Sequence, residues 1–204
     1  MPYSPAHKAS TRERILSAAA PLLRARGILA VTIDEMMAAA DLTRGGFYAH
    51  FESKDALLAA VLDRETGLQA LLRRARLGEL PPRKTATALL SYYLHPRNRE
   101  ETSSDCPMST MSADVRRSGG AAAAAMQRKF SELVFELGHL VRDPEDAQTL
   151  GASIIGATTL AGAMGPGAAS TALLRSTARL VRAKLKPEAA KPRRPARRGA
   201  APSG

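Results

Sequence analysis

The chain has 204 residues, 45% of them hydrophobic but only 4% aromatic, and a formal charge of +11. That length supports one or two compact domains with a real core. No charge-free apolar run reaches the roughly 18 residues of a membrane span, and the start has no apolar signal-peptide core, so no membrane partner is expected and the cytoplasm is the expected location. A single cysteine, Cys106, leaves no internal disulfide and agrees with that location.

The apolar mass is mostly Ala, Leu and Met, which favour helices over strands. The charge is uneven: residues 1–60 carry seven Lys/Arg against six Asp/Glu, whereas residues 184–204 carry seven against Glu188 alone. An anionic partner is implied, but net charge does not locate the surface that meets it.

In chain order, residues 1–10 read as a loose arm. A helix is expected over 11–26, capped by Thr11, with Ile15, Ala18, Ala19 and Leu22 on one face and Gly27 as its stop. Pro21 predicts a kink, because it removes a hydrogen bond and crowds the preceding turn. Thr32 and Glu35 form a capping box for a second short helix with Ile33, Met36, Met37 and Ala40 inward. Asp41-Leu42 is a tight turn, and Thr43 caps a third helix over 44–50 with Phe47 inward and Phe51 as a second anchor. Ser53 caps a long fourth helix towards Arg74 or Arg76. Beyond the Pro81-Pro82 break, helices are expected over 84–94, 107–115, 121–141, 145–163 and 168–185, with Gly165-Pro166-Gly167 a strong breaker before the last. The residues after Pro187 alternate Pro, Ala, Lys and Arg and cannot build a core. The fold class is therefore all-α with about nine helices: residues 1–52 form a three-helix unit, 53–185 a linker helix and helical bundle, and 186–204 a basic tail.

Two short helices joined by a turn, the second exposed at its start, have the form of a DNA-binding helix-turn-helix. Arg44 is the best base reader, because its guanidinium fork matches the O6 and N7 acceptors of guanine. Tyr48 and His50 are candidates for phosphate or base contact. Lys54 and Thr32 sit at helix starts that favour backbone phosphates. Thr43 faces outward, and Gly45 and Gly46 permit close approach to a duplex. Each residue also has a plain structural alternative: Arg44 as solvated surface, Tyr48 as half-buried packing, His50 as a brace, Thr32 as a cap only.

Thr11-Arg12, Ile15, Gly27, Thr32, Phe47-Tyr48, His50-Phe51 and Ser53-Lys54 together resemble the N-terminal DNA-binding domain of the tetracycline-repressor (TetR) family, over residues 11–62. Pro21 and Gly46 depart from the familiar pattern. The resemblance implies a homodimer on a palindromic double-stranded operator, usually a repressor released by a small-molecule effector. It carries Thr43, Arg44, Gly45, Tyr48, His50 and Lys54 over as the DNA-facing set, and makes the fourth helix the lever between domains.

Resemblance over residues 84–185 is slighter. An effector pocket between bundle helices is expected to be apolar with a few polar groups. Its candidate lining is Leu89, Tyr92, Tyr93, Cys106, Met108, Met111, Phe130 and Phe135, all of which ordinary core packing also explains. Cys106 at a helix start is either a reactive thiol or an inert one. The helices at 145–163 and 168–185 are the expected dimer seam, with Ala152, Gly156, Ala157 and Ala161 allowing close approach. No cofactor, catalytic set or metal site is expected: the histidines His7, His50, His95 and His139 are scattered, and neither a phosphate loop nor a nucleophile elbow occurs. The alternative from another class is a DNA-organising protein with no inducer pocket.

Overall fold

The computed structural model describes residues 4–66, 84, 87, 90, 93–95 and 106–185. They form an all-α fold of about nine helices, with a helix-turn-helix at the N-terminal end and a helical bundle at the other.

Helix α1 spans Pro5–Arg26, so residues 5–10 are helical and not an arm. The Ser4 hydroxyl accepts from the His7 amide at 3.2 Å, and Pro5 follows at the first helical position. This pair starts the helix earlier than Thr11 because proline there needs no amide partner and is already set to a helical φ. Pro21 lies inside a single assigned helix. Ile15, Leu16, Ala19, Ala20 and Leu23 around it are all buried, each 1% exposed or less, and that packing outweighs the roughly 3 kcal/mol that an internal proline costs. Gly27, at φ 77°, ends α1.

Helix α2, Ile33–Ala39, carries the expected capping box: the Thr32 hydroxyl accepts from the Glu35 amide at 3.1 Å and Glu35 accepts from the Thr32 amide at 2.7 Å. Asp41 takes a left-handed φ of 54° in the turn. The third helix is a 3-10 helix, Arg44–Ala49, and not an α-helix. Its bonds run three residues back, from Gly46 to Thr43 at 3.1 Å and from His50 to Phe47 at 2.9 Å. Two adjacent glycines and a length of six residues give an α-helix little to build on.

Helix α3, Lys54–Glu65, is capped by Ser53, whose hydroxyl accepts from the Ala56 amide at 3.0 Å. It stops at Thr66, where the backbone is extended. Thr66 turns its hydroxyl onto the Leu62 carbonyl, and Gly67 follows. The remainder of the expected lever lies outside the described residues. Of the expected helix over 84–94, Lys84, Thr87, Leu90, Tyr93 and Leu94 are described; the first four are helical and Leu94 lies in a turn.

The expected helix from Pro107 is two pieces, α4 (Pro107–Thr110) and α5 (Ser112–Ser118), broken at Met111. Ser109 and Ser112 donate their hydroxyls to the carbonyls of Cys106 and Met108, which favours tight local turns over a long helix. Then follow α6 (Gly120–Leu140), α7 (Asp146–Met164) and α8 (Ala168–Lys184), each within about a residue of expectation.

Two clusters hold the chain together. The first contains Ile15, Leu16, Met36, Met37, Phe47, Leu57, Leu58 and Leu62, and it also takes in Met111, Val115, Ala122 and Ala125 of the C-terminal half. The second packs Leu137, Leu150, Ile154, Leu174 and Val181 with Leu90 and Leu94. The N-terminal three-helix unit thus shares its core with α5 and α6.

A polar contact strengthens that junction. Asp114, on α5, is 7% exposed, and its Oδ2 accepts from the buried Ile28 amide at 3.0 Å. Nearby, Asp55 Oδ2 of α3 accepts from the Ala121 amide at 3.0 Å as α6 begins. Asp114→Ala strands the Ile28 amide, and the expected cost is about 1–3 kcal/mol of stability. Urea denaturation measures it; an unchanged midpoint would show that the contact contributes nothing. Gly27 is bound to this arrangement, because a Cβ there would lie 2.8 Å from Asp114 Oδ2.

Candidate nucleic-acid interface

The helix-turn-helix presents a short exposed segment on a buried anchor. Phe47 is fully buried, meets Tyr48 edge-on at 5.2 Å and lies 5.7 Å from Phe51. That anchor leaves Thr43, Arg44, Gly45 and Tyr48 exposed along one stretch of chain. The Thr43 side chain makes no capping bond. A Cβ on Gly45 would meet nothing within 4 Å, whereas one on Gly46 would lie 3.4 Å from Met37 Cε. Gly45 is exposed, whereas Gly46 is half-buried and packs towards Met37 of α2.

The Arg44 guanidinium is 62% exposed and donates to Asp34 at 2.8 Å. Asp34 was not among the site residues expected from the sequence. It is ten residues from Arg44, and only the fold of the turn brings it close. Tyr48 is 60% exposed. His50 is half-buried, and its Nδ1 has no hydrogen-bond partner. Burial, then the positive charges of Lys8, Arg12 and His7, push its pKa below the usual imidazole value.

Thr32 and Lys54 come together from different elements. The Lys54 ammonium donates to the Val31 carbonyl at 2.7 Å, next to Thr32. The Thr32 hydroxyl is occupied with Glu35. That carboxylate accepts first from the Thr32 amide and then from Arg26, which holds its pKa down at about 2. The cap reading of Thr32 therefore has direct geometric support, while its side-chain oxygen is already engaged.

The residues expected to line an effector pocket are divided. Leu89 and Tyr92 lie outside the described residues. Met111 belongs to the first core, and Tyr93 packs against the second. Cys106 and Met108 are buried at the start of α4. Phe130 is half-buried, with a ring carbon 3.4 Å from where a Cβ on Gly151 would lie. Phe135 does not join them: it is 70% exposed, with its ring 4.6 Å from that of His139. Five residues turn an α-helix through about 140° net, so Phe130 and Phe135 cannot share a face. An open groove of about 530 Å³ lies elsewhere, between α1 and α3, lined by Arg12, Glu13, Leu16, Ala56, Ala59, Ala60, Asp63, Arg64 and Ala121. None of the expected pocket residues borders it.

Among the described residues, no group of three or more His, Cys, Asp or Glu is placed to hold a metal, and no helix is long and apolar enough to cross a membrane.

Residues 15–61 match the family model for bacterial regulatory proteins of the tetR family. No curated protein sequence matches the chain. Among solved structures, the reduced form of E. coli NemR is similar at 25% identity and a TM-score of 0.67, over 87% of this chain and 97% of that one. A TetR transcriptional regulator from Chloroflexus aurantiacus is similar at 21% identity and a TM-score of 0.63, over 88% and 98%. AibR, in complex with isovaleryl coenzyme A and operator DNA, shares the fold at 18% identity and a TM-score of 0.52, over 83% and 97%.

Proposed function

We propose, from the match of residues 15–61 to the model for bacterial regulatory proteins of the tetR family, that the chain is a transcriptional repressor whose dimer binds a palindromic operator and is released by a small-molecule effector. The observation that carries the DNA-binding part is the exposed Thr43–Arg44–Gly45 and Tyr48 surface, held from behind by the buried Phe47. Thr32, Gly46, His50 and Lys54 support it: Gly46 by close packing, His50 and Lys54 at its edges, Thr32 by capping α2. Arg44 reads a base edge, and the others position the backbone.

The two-fold partner docks on α7 and α8. Leu160 and Met164 on α7 and Leu180 on α8 are 46–54% exposed. Gly156, on the same side of α7 as Leu160, has open space where a Cβ would be, so a partner helix approaches closely there. AibR, a relative in fold, was crystallised with both an acyl coenzyme A and operator DNA, which favours an effector over a purely architectural role. The effector pocket is assigned to the bundle side, near Tyr93, Cys106, Met108 and Phe130, and not to the groove between α1 and α3. Residues 1–52 serve as the reading head and 53–185 as the sensor and dimer body; the two are coupled through their shared core.

Selection of bound duplexes from a random pool, followed by footprinting, tests this reading. The expected product is a two-fold symmetric sequence with half-sites about one helical turn apart. A pool that shows no enriched sequence, or an enriched site without symmetry, overturns it.

A further inference from the structure

The first turns of α1 carry a basic strip to the edge of the reading segment. The Arg12 guanidinium lies 4.7 Å over the Phe51 ring, Phe51 lies 5.7 Å from Phe47, and Phe47 meets the exposed Tyr48 at 5.2 Å. An unbroken line of contacts therefore joins Arg12 to the candidate DNA surface. Lys8 precedes Arg12 by four residues, one turn along the same face of α1. The first turn of α1 has no acidic residue. Glu13, the nearest acid in sequence, pairs with Arg64 at 3.1 Å. Among the described residues, neither Lys8 nor Arg12 forms an ion pair. Like charges four residues apart on a helix repel modestly, and among the described residues no ion pair offsets them. The positive charge of both also reaches His50, at the end of the reading segment.

We propose that Lys8 and Arg12 form a second phosphate-binding strip, which holds the DNA backbone beside the segment that reads bases. The partner is the phosphate backbone of duplex DNA. The strip is continuous with the exposed reading segment, and phosphate supplies the ion-pair partner that Lys8 and Arg12 lack among the described residues, Glu13 and Asp63 being paired with Arg64 and Arg128. Its contribution is to affinity and register, not to sequence preference. Arg12 is fixed by its ring contact, whereas Lys8 is exposed and reaches outward. The proposal rests on the DNA-binding reading above.

The test uses the full chain on a random-sequence duplex of about 30 base pairs, long enough for two half-sites one turn apart. Fluorescence anisotropy is measured from about 50 to 200 mM KCl for wild type, Lys8→Ala, Arg12→Lys and the double variant Lys8→Ala/Arg12→Gln. The expected result is that the slope of log affinity against log salt falls by about 0.9 for Lys8→Ala and by about twice that for the double variant. Arg12→Lys keeps the wild-type slope. Lys8 is exposed and alanine is a better helix former, so Lys8→Ala retains its far-UV circular dichroism and melting point. The basic tail is common to all four proteins and cancels. If wild type binds and Lys8→Ala has the same slope, the strip is overturned and the reading segment stands. If wild type binds neither this duplex nor any selected one, the DNA-binding reading fails and the strip fails with it.

Discussion

Arg44→Ala is expected to weaken binding to the selected operator by about 5- to 150-fold while changing affinity for random duplex far less, because a bidentate arginine–guanine contact discriminates by about 1–3 kcal/mol. The structure shows a competitor for that guanidinium, Asp34 at 2.8 Å. Both partners are more than half exposed, and such surface pairs contribute about 0–1 kcal/mol. Under the proposed reading, the base contact therefore outweighs the ion pair with Asp34. Asp34→Ala is accordingly expected to shift operator affinity by less than about five-fold. Parallel titrations on operator and random duplex decide the matter. Equal losses on both for Arg44→Ala would reduce Arg44 to a general cation.

Phe47→Ala is expected to remove about 3–5 kcal/mol of stability, the usual cost of truncating a buried phenylalanine. Domains of this kind have only about 5–15 kcal/mol in total, so much of the protein unfolds under mild urea. The expected loss is large for a structural reason. Gly45 and Gly46 lend the segment little helical preference of their own, and the fully buried Phe47 ring, between Tyr48 and Phe51, holds it against the first core. Tyr48→Ala provides the contrast. Its ring is 60% exposed, so stability should move by no more than about 0.5 kcal/mol while DNA affinity falls. The urea midpoint at constant slope is the measurement. A Phe47→Ala midpoint equal to wild type would mean that the segment is held some other way.

The elements legible along the chain were those whose signal is local. Thr32 with Glu35, Ser53, and the Gly165-Pro166-Gly167 break all act within a few residues, and the observed helices respect each of them. Where expectation and structure differ, a neighbouring local signal or a distant contact prevailed. Ser4-Pro5 started α1 ahead of Thr11, and serine hydroxyls divided the segment after Cys106 into two short helices. That Thr43, Arg44, Gly45 and Tyr48 face outward was accessible from side-chain type and spacing, whereas His50, also expected to face outward, is half-buried. The partners of these residues were not accessible in this way: nothing in the spacing joins Asp34 to Arg44, or Lys8 and Arg12 to His50.

Capping chemistry, helical periodicity and the breakers are interactions over one or two turns, so the order of residues alone was enough for an all-α chain with a helix-turn-helix at its start and two paired helices at its end. Which apolar side chains serve the core and which stay open is set by contacts between segments far apart in sequence. Ile154, Leu174 and Val181 went into the second core, and Leu160, Met164 and Leu180 were left exposed. Met111 and Val115 joined the N-terminal core, where Asp114 meets Ile28 across 86 positions. Periodicity marks a helix face as apolar, but only the packed neighbour determines which strip of that face loses its water, because burial is a property of both surfaces.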